Sequence, residues 1–173
     1  GFKVRINDRR FLKAMASYCG FPQESYDQVF IILDKLDKIG PDGVLADLVA
    51  SGFSKESAER YLELFQTVTS DAAGIRMLRD TLGEHLPEDA AENLLNIISS
   101  VDETRVSEFD LAFDPALVRG MSYYTGTIFE IEMEEFGSSV AGGGRYDEMI
   151  GKFTAKQTPA CGFSIGFERI ITI

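Results

Sequence analysis

The hydrophobic periodicity of this chain changes once, near Asp102-Glu103-Thr104, and that change limits what the chain can fold into. Before it, apolar residues recur at helical spacing. Phe11, Leu12, Met15 and Ala16 make one stripe, with Asn7 or Asp8 as its cap. Pro22 suits the first turn of the next helix, on which Tyr26, Val29, Phe30, Leu33 and Leu36 share a face. Gly40-Pro41-Asp42-Gly43 reads as a turn, and Ser54 as the cap of a helix carrying Ala58, Tyr61, Leu62 and Phe65. Residues 70–82 and 87–101 supply two more helices. After the change the pattern is that of strands. Residues 109–113 alternate, residues 123–133 are β-branched and aromatic, Gly137 turns them, and 138–141 return antiparallel. Residues 160–165 are a further strand, and 167–173 begin a helix. Residues 1–6 also read as a half-buried strand. The expectation is an α+β fold: strand and helix over 1–20, an all-helical insertion over 21–103, and an antiparallel sheet with flanking helices over 104–173.

A chain that opens inside a strand reads as part of something longer. A sheet of this size is expected to need strand 1–6 together with further strands or a partner subunit, because so small a piece buries little surface alone. An edge left open would favour association.

Charge argues against bulk attraction to nucleic acid, since the net is −11. Its distribution is uneven. Residues 14–104 carry 6 basic and 17 acidic side chains, so the acidity belongs to the helical block. No apolar run approaches the roughly 20 residues needed to cross a membrane, and no basic-then-apolar leader is present, so the expected location is the cytoplasm. Cys19 and Cys161 are expected to be free, buried thiols of a reducing compartment. The single His85 gives no basis for a metal site built on histidine.

The segments that carry chemistry lie in the last third. They are 119–126 (Arg-Gly-Met-Ser-Tyr-Tyr-Thr-Gly), 141–147 (Ala-Gly-Gly-Gly-Arg-Tyr-Asp) and 161–169 (Cys-Gly-Phe-Ser-Ile-Gly-Phe-Glu-Arg). Each sets an arginine beside glycine or an aromatic. The guanidinium is a fixed fork of donors suited to phosphate or carboxylate, and glycine lets backbone approach a ligand. Together they point to a pocket for an anionic small molecule with a flat or polar part. Taken singly, each has a plainer reading. Arg119 could be a structural ion pair, the Gly142–Gly144 run a simple turn, and Arg169 a helix-surface pair. Tyr123 and Tyr124 are consecutive in a strand and so point to opposite faces, one into the pocket and one into packing. Walker, His-Glu-x-x-His, Cys-x-x-Cys and nucleophile-elbow patterns are absent from the sequence.

Taken together, the segments resemble one family. Residues 117–130 (Leu-Val-Arg-Gly-Met-Ser-Tyr-Tyr-Thr-Gly-Thr-Ile-Phe-Glu) and Gly143-Gly144-Arg145-Tyr146-Asp147 are similar to the two histidine-specific motifs of histidyl-tRNA synthetases. Residues 159–169 are similar to motif 3 of class II aminoacyl-tRNA synthetases, and residues 2–12 to the strand and helix that follow motif 2. The resemblance implies a class II antiparallel sheet with a helical insertion, in a homodimeric ligase. That enzyme joins histidine and ATP, with Mg2+ carried by the nucleotide, into histidyl-adenylate and passes the histidyl group to tRNA(His). It implies that Arg119 lies on the α-phosphate as the catalytic cation, and that Tyr124 and Tyr146 contact histidine. Gly143 and Gly144 would belong to the pocket floor, and Arg169, with Gly166, would hold ATP. Ser122 departs from the pattern, standing where many members carry Asp. Motif 1, motif 2 and the anticodon-binding domain are not in this sequence, so residues 1–173 alone are expected to be inactive. The acidic block also fits poorly with a contact to the tRNA acceptor end. The alternative is the synthetase-like regulatory subunit of ATP phosphoribosyltransferase. Such proteins tend to lose the arginine ahead of the tyrosine pair and the motif 3 Glu-Arg, whereas Arg119 and Glu168-Arg169 are both present here.

Overall fold

The structure is a computed structural model and describes residues 1–118 and 123–171. Strand β1 (Phe2–Asp8) runs directly into helix α1 (Arg9–Tyr18). Asp8 makes the transition: its backbone is extended, and its carboxylate accepts from the N–H of Arg10 at 2.9 Å, capping the helix. Helices α2 (Tyr26–Leu33), α3 (Leu36–Ala50), α4 (Lys55–Thr67), α5 (Ala72–Leu82) and α6 (Glu88–Thr104) follow. Pro22 introduces a short 3-10 turn, Gln23–Ser25, ahead of α2 rather than the helix itself. The expected stripe from Tyr26 to Leu36 is split, because α2 ends at Leu33 and Leu36 opens α3. The Gly40-Pro41 turn appears as a break inside α3, where Gly40 has φ 70° and ψ 175°, a conformation that favours glycine. Ser54 caps α4 through the N–H of Ser57.

Strands β2 (Asp110–Phe113), β3 (Thr127–Met133), β4 (Ser138–Arg145) and β5 (Cys161–Ile165) complete one five-stranded sheet in the order β2-β1-β3-β4-β5. Helix α7 (Asp147–Thr154) joins β4 to β5, and α8 (Phe167–Ile171) follows β5. The sheet is mixed rather than wholly antiparallel: β1 and β2 run parallel, the other three pairs antiparallel. A parallel pair needs a long crossover, and the helices between β1 and β2 provide it. The glycine run lies inside β4, so β4 extends past the expected 138–141. Strand β3 begins only at Thr127, four residues later than the expected 123.

Cross-strand partners share a face, so the register sorts the sheet. One face carries Arg5, Glu130, Gly142 and Ser164 in one row, and Asn7, Ile128, Gly144 and Gly162 in the next. The opposite face carries Ile6, Phe129, Gly143 and Phe163, then Val4, Ile131, Ala141 and Ile165. Helix α1 packs on the second face, where Phe11 meets Phe113 edge-on at 5.8 Å. Buried apolar residues from Ile6 through α1–α6 to Ile128 make one contiguous cluster. Cys19 is buried, and burial pushes its thiol up to about 11. Cys161 is exposed, contrary to expectation, because β5 is an edge strand.

The fully buried Asp8 carboxylate also accepts from Arg10 Nε and Nη2 at 2.9 Å each and from Thr127 Oγ1 at 3.2 Å, while Arg10 Nη1 reaches Asp89 of α6 at 2.7 Å. Asp8→Ala removes the cap and leaves Arg10 without its inner partner. We expect a loss of about 2–3 kcal/mol in urea unfolding. Asp89→Asn, at a largely exposed carboxylate, should cost less than about 1 kcal/mol. Equal midpoints for Asp8→Ala and the unmutated chain would contradict this account of the β1–α1 junction.

Candidate active site

The polar face loses most of its side chains toward β5, where Ser164 is flanked by Gly162. Gly142 and Gly144 of β4 and Gly162 of β5 leave a bare strip of backbone, and three tyrosines gather over its end. The rings of Tyr123 and Tyr124 are 4.4 Å apart, and Tyr146 lies 6.2 Å from the first and 6.3 Å from the second. The glycines make room for them. A Cβ on Gly144 would sit 2.9 Å from the Tyr124 ring, and one on Gly162 would run into the Tyr146 hydroxyl. Gly143 belongs to the other face, and a Cβ there would collide with the β5 backbone at Gly162 and Phe163. The run is thus a strand stripped for close approach on both sides, and not a loop.

Tyr124 and Tyr146, singled out from sequence, are brought together. The opposite-face assignment for Tyr123 and Tyr124 does not hold. Both precede β3, so strand alternation does not govern them, and their rings pack against each other. Burial, then a hydrogen bond with Tyr123 and the neighbouring phenols, pushes Tyr124 up to about 12. Tyr124 therefore keeps its proton at any ordinary pH and stands as a neutral hydrogen-bonding phenol. By linkage the raised value stabilises the fold fully below the ordinary tyrosine range, a contribution lost as pH climbs toward 12.

Tyr146 is held by its neighbours. Its N–H donates to the Ala160 carbonyl at 2.8 Å, and Asp147 beside it bridges three groups. One Asp147 oxygen accepts from Arg145 Nε at 2.7 Å and the other from Ala160 N–H at 2.9 Å, while the Asp147 N–H donates to Thr125 Oγ1 at 3.1 Å. Desolvation pushes the Asp147 carboxyl up, but the bonds from Ala160 and Arg145 outweigh it and hold it below its usual range. Sequence reading assigned Asp147 and Gly162 no role of their own and gave Tyr123 only a packing one. The Arg-x-Asp spacing at 145–147 was the available signal. The closeness of Gly162 to Tyr146 is a tertiary fact with no local trace.

Arg169 sits on α8 with its side chain against Gly166, and its Nη1 donates to the Ser139 carbonyl at 2.5 Å. It is exposed, at the open end of the glycine strip. Arg119 lies outside the described residues. The segment leading to it is tightly gripped. Arg5 Nε donates to Asp114 at 2.6 Å, and its Nη1 to Glu132 at 2.7 Å. Burial would lower the Arg5 guanidinium, and these bonds more than reverse that. The buried Asn7 amide donates to the carbonyls of Pro115 and Leu117 at 3.1 Å each. A cavity of about 1050 Å3 opens beside this segment, between the polar face and α2, with Arg5, Glu130, Leu117 and Asp27 in its wall.

A bare strip of sheet, clustered phenols at one end and an arginine at the other can accept a ligand with a flat or polar head and an anionic tail. Comparison with known proteins gives this arrangement a family. The model of histidyl-tRNA synthetase matches residues 1–170. The chain belongs to the histidyl-tRNA synthetase family. It is 42% identical over 174 residues to the histidine–tRNA ligase of Leifsonia xyli, with 98% of this chain and 40% of that protein covered. It is 38% identical to the ligase of Aeropyrum pernix, covering 99% of this chain and 38% of that one. The crystal structure of histidyl-tRNA synthetase from Nostoc sp. PCC 7120 superposes with a TM-score of 0.85 at 29% identity, covering 99% of this chain and 41% of the other. A Bacillus halodurans structure titled as an ATP phosphoribosyltransferase regulatory subunit/histidyl-tRNA synthetase shares the fold, with TM-score 0.81 at 24% identity. The chain thus spans about two fifths of the length of the curated relatives it matches. No helix among the described residues is long and apolar enough to cross a membrane.

The glycine at 162 gives a direct check on the tyrosine cluster. Gly162→Ala should displace the Tyr146 ring and cost about 1–3 kcal/mol, as overpacking does. The chain has no tryptophan, so near-UV circular dichroism reads its 6 tyrosines without that overlap. The variant should alter that spectrum and Ser164→Ala should not. An unchanged tyrosine spectrum in Gly162→Ala would contradict the contact.

Proposed function

We propose that this chain is the histidine-activating part of a histidine–tRNA ligase. In the full-length protein, histidine and ATP form histidyl-adenylate with release of pyrophosphate, and the histidyl group then passes to tRNA(His). The observation that carries the reading is the pair Tyr124 and Tyr146 over the floor of Gly144 and Gly162, in a chain whose relatives are named histidine–tRNA ligases. A neutral phenol held in its protonated form suits a hydrogen bond to an uncharged imidazole nitrogen. The backbone strip of Gly142, Gly144 and Gly162 gives the aminoacyl moiety a surface to lie on.

The nucleotide belongs at the other end, with Arg169 and Gly166 toward the ATP tail. Arg119 is the cation proposed for the α-phosphate. As the carboxylate of histidine attacks phosphorus, charge builds on the non-bridging oxygens, and a fixed guanidinium stabilises it more in the transition state than in the ground state. ATP enters as substrate with its Mg2+. Class II membership, a homodimer and a cytoplasmic setting belong to the same proposal. Residues 1–173 by themselves should not catalyse the reaction, since the second motif that grips ATP in this family is not among them. The regulatory-subunit alternative is supported by likeness of fold alone, at 24% and 19% identity.

Three substitutions in the full-length protein test the assignment. Arg119→Ala should lower histidine-dependent ATP–pyrophosphate exchange by a factor on the order of 10² or more, with the Michaelis constant for histidine little changed. Tyr124→Phe and Tyr146→Phe should each raise that constant by about tenfold, the loss of one hydrogen bond to a polar substrate group. Wild-type exchange in Arg119→Ala, or wild-type histidine affinity in both tyrosine variants, would refute the roles given to them.

A further inference from the structure

Arg9 is the first residue of α1, and it is only 3% exposed. Its guanidinium faces two ways. Nη1 donates to the carbonyl of Val118 at 3.4 Å, and Nη2 pairs with Asp27 of α2 at 3.2 Å. The guanidinium carbon lies 4.6 Å from the centroid of the Phe30 ring, also on α2, and the buried Tyr61 phenol of α4 acts on it electrostatically. Its Nε has no partner among the described residues. Among the described residues the Tyr61 hydroxyl is the other buried side-chain polar atom in that state. Burial lowers the guanidinium from its ordinary value, and Asp27, whose side chain is 66% exposed, offsets this only in part.

As a stabilising device this is poor. The desolvation is large, the counter-ion is wet, and among the described residues one donor goes unused. An apolar side chain of similar volume could fill the space at lower cost. The guanidinium does something an apolar group cannot. It fixes the Val118 carbonyl, one peptide before Arg119, relative to α2. Asn7 holds the same segment from the sheet through Pro115 and Leu117, so Arg9 adds a link from that segment into the helical block.

We propose that Arg9 is a positioning residue for amino-acid activation: it locks the segment entering Arg119 to α2, so that the seating of the helical block is felt in the rate of the chemical step. This rests on the ligase reading above. The wet Asp27 end makes the link adjustable, and a shift of α2 is passed on to Val118.

The test is histidine-dependent ATP–pyrophosphate exchange by the full-length protein, with rates expressed per active site by titration of bound adenylate. Arg9→Met keeps the side-chain volume and removes the donors. Its kcat should fall by about tenfold or more, as expected when a charge-stabilising group is displaced by a fraction of an ångström, with the Michaelis constant for histidine unchanged within about twofold. Asp27→Asn leaves the core intact, folds regardless of the fate of Arg9→Met, and should lower kcat by about threefold. Adding it to Arg9→Met should cost nothing further, because both act through one contact. Arg9→Lys, which retains one donor, should recover part of the loss. A merely structural role would lower the unfolding midpoint and the number of active sites while leaving kcat per site unchanged, and that result would overturn the inference but leave the ligase reading standing. Additive losses in the double variant would overturn it too. No histidine-dependent exchange by the unmutated protein would overturn the ligase reading and this inference with it.

Discussion

The Asn7 carboxamide, fully buried and shared between the carbonyls of Pro115 and Leu117, is the contact on which the site depends. Strand β1 lies between β2 and β3, so its side chains serve both the sheet and the segment that leaves β2. Arg5, Asn7 and Arg9 alternate along one side and grip, in order, Asp114, the 115–117 carbonyls and Val118. Ile6 and Asp8 alternate on the other side and tie the sheet to the helices. A chain segment outside the strands is thereby held by side chains that donate to its carbonyls.

From this constraint the rest of the site follows in chain order. The held segment leads toward Arg119 and then to the tyrosine pair. Gly126 gives its carbonyl to the N–H of Arg9 at 2.9 Å, which brings the chain back beside β1 before β3 starts. Strand β4 then returns with glycine where the tyrosine rings need space. Asp147 ties Arg145, Ala160 and Thr125 into one junction and so fixes Tyr146 opposite Tyr124. The site is assembled from turns and strand ends, and its rigidity comes from polar side chains bonded to backbone.

Much of the fold was legible in the sequence because its signals are local. A cap at Asn7 or Asp8, of which Asp8 is the one used, and the cap at Ser54 were announced locally, as were the Gly40-Pro41 turn and the switch to alternation near residue 104 that starts the sheet segments. Pairing was not legible. Nothing near residues 109–113 says that this strand runs parallel to β1, since that depends on a crossover of helices. The tyrosine faces were misjudged for a related reason. β-Branched and aromatic composition over 123–133 looked like one strand, but the backbone bond from Thr125 to Arg145 and the ring of Tyr124 against Gly144 belong to tertiary packing. Motif resemblance brought Tyr124 and Tyr146 to notice together. The part played by Arg9 left no trace in spacing, because its partners lie 18 and 109 residues away.

A histidine pocket is defined by its amino-acid selectivity. The most direct measurement is ATP–pyrophosphate exchange by the full-length protein, with each of the standard amino acids supplied in turn. Histidine alone should support exchange, as expected of a site that hydrogen-bonds a polar side chain and rejects analogues lacking it. Exchange with another amino acid, or none with histidine, would contradict the assignment of Tyr124 and Tyr146 to a histidine pocket.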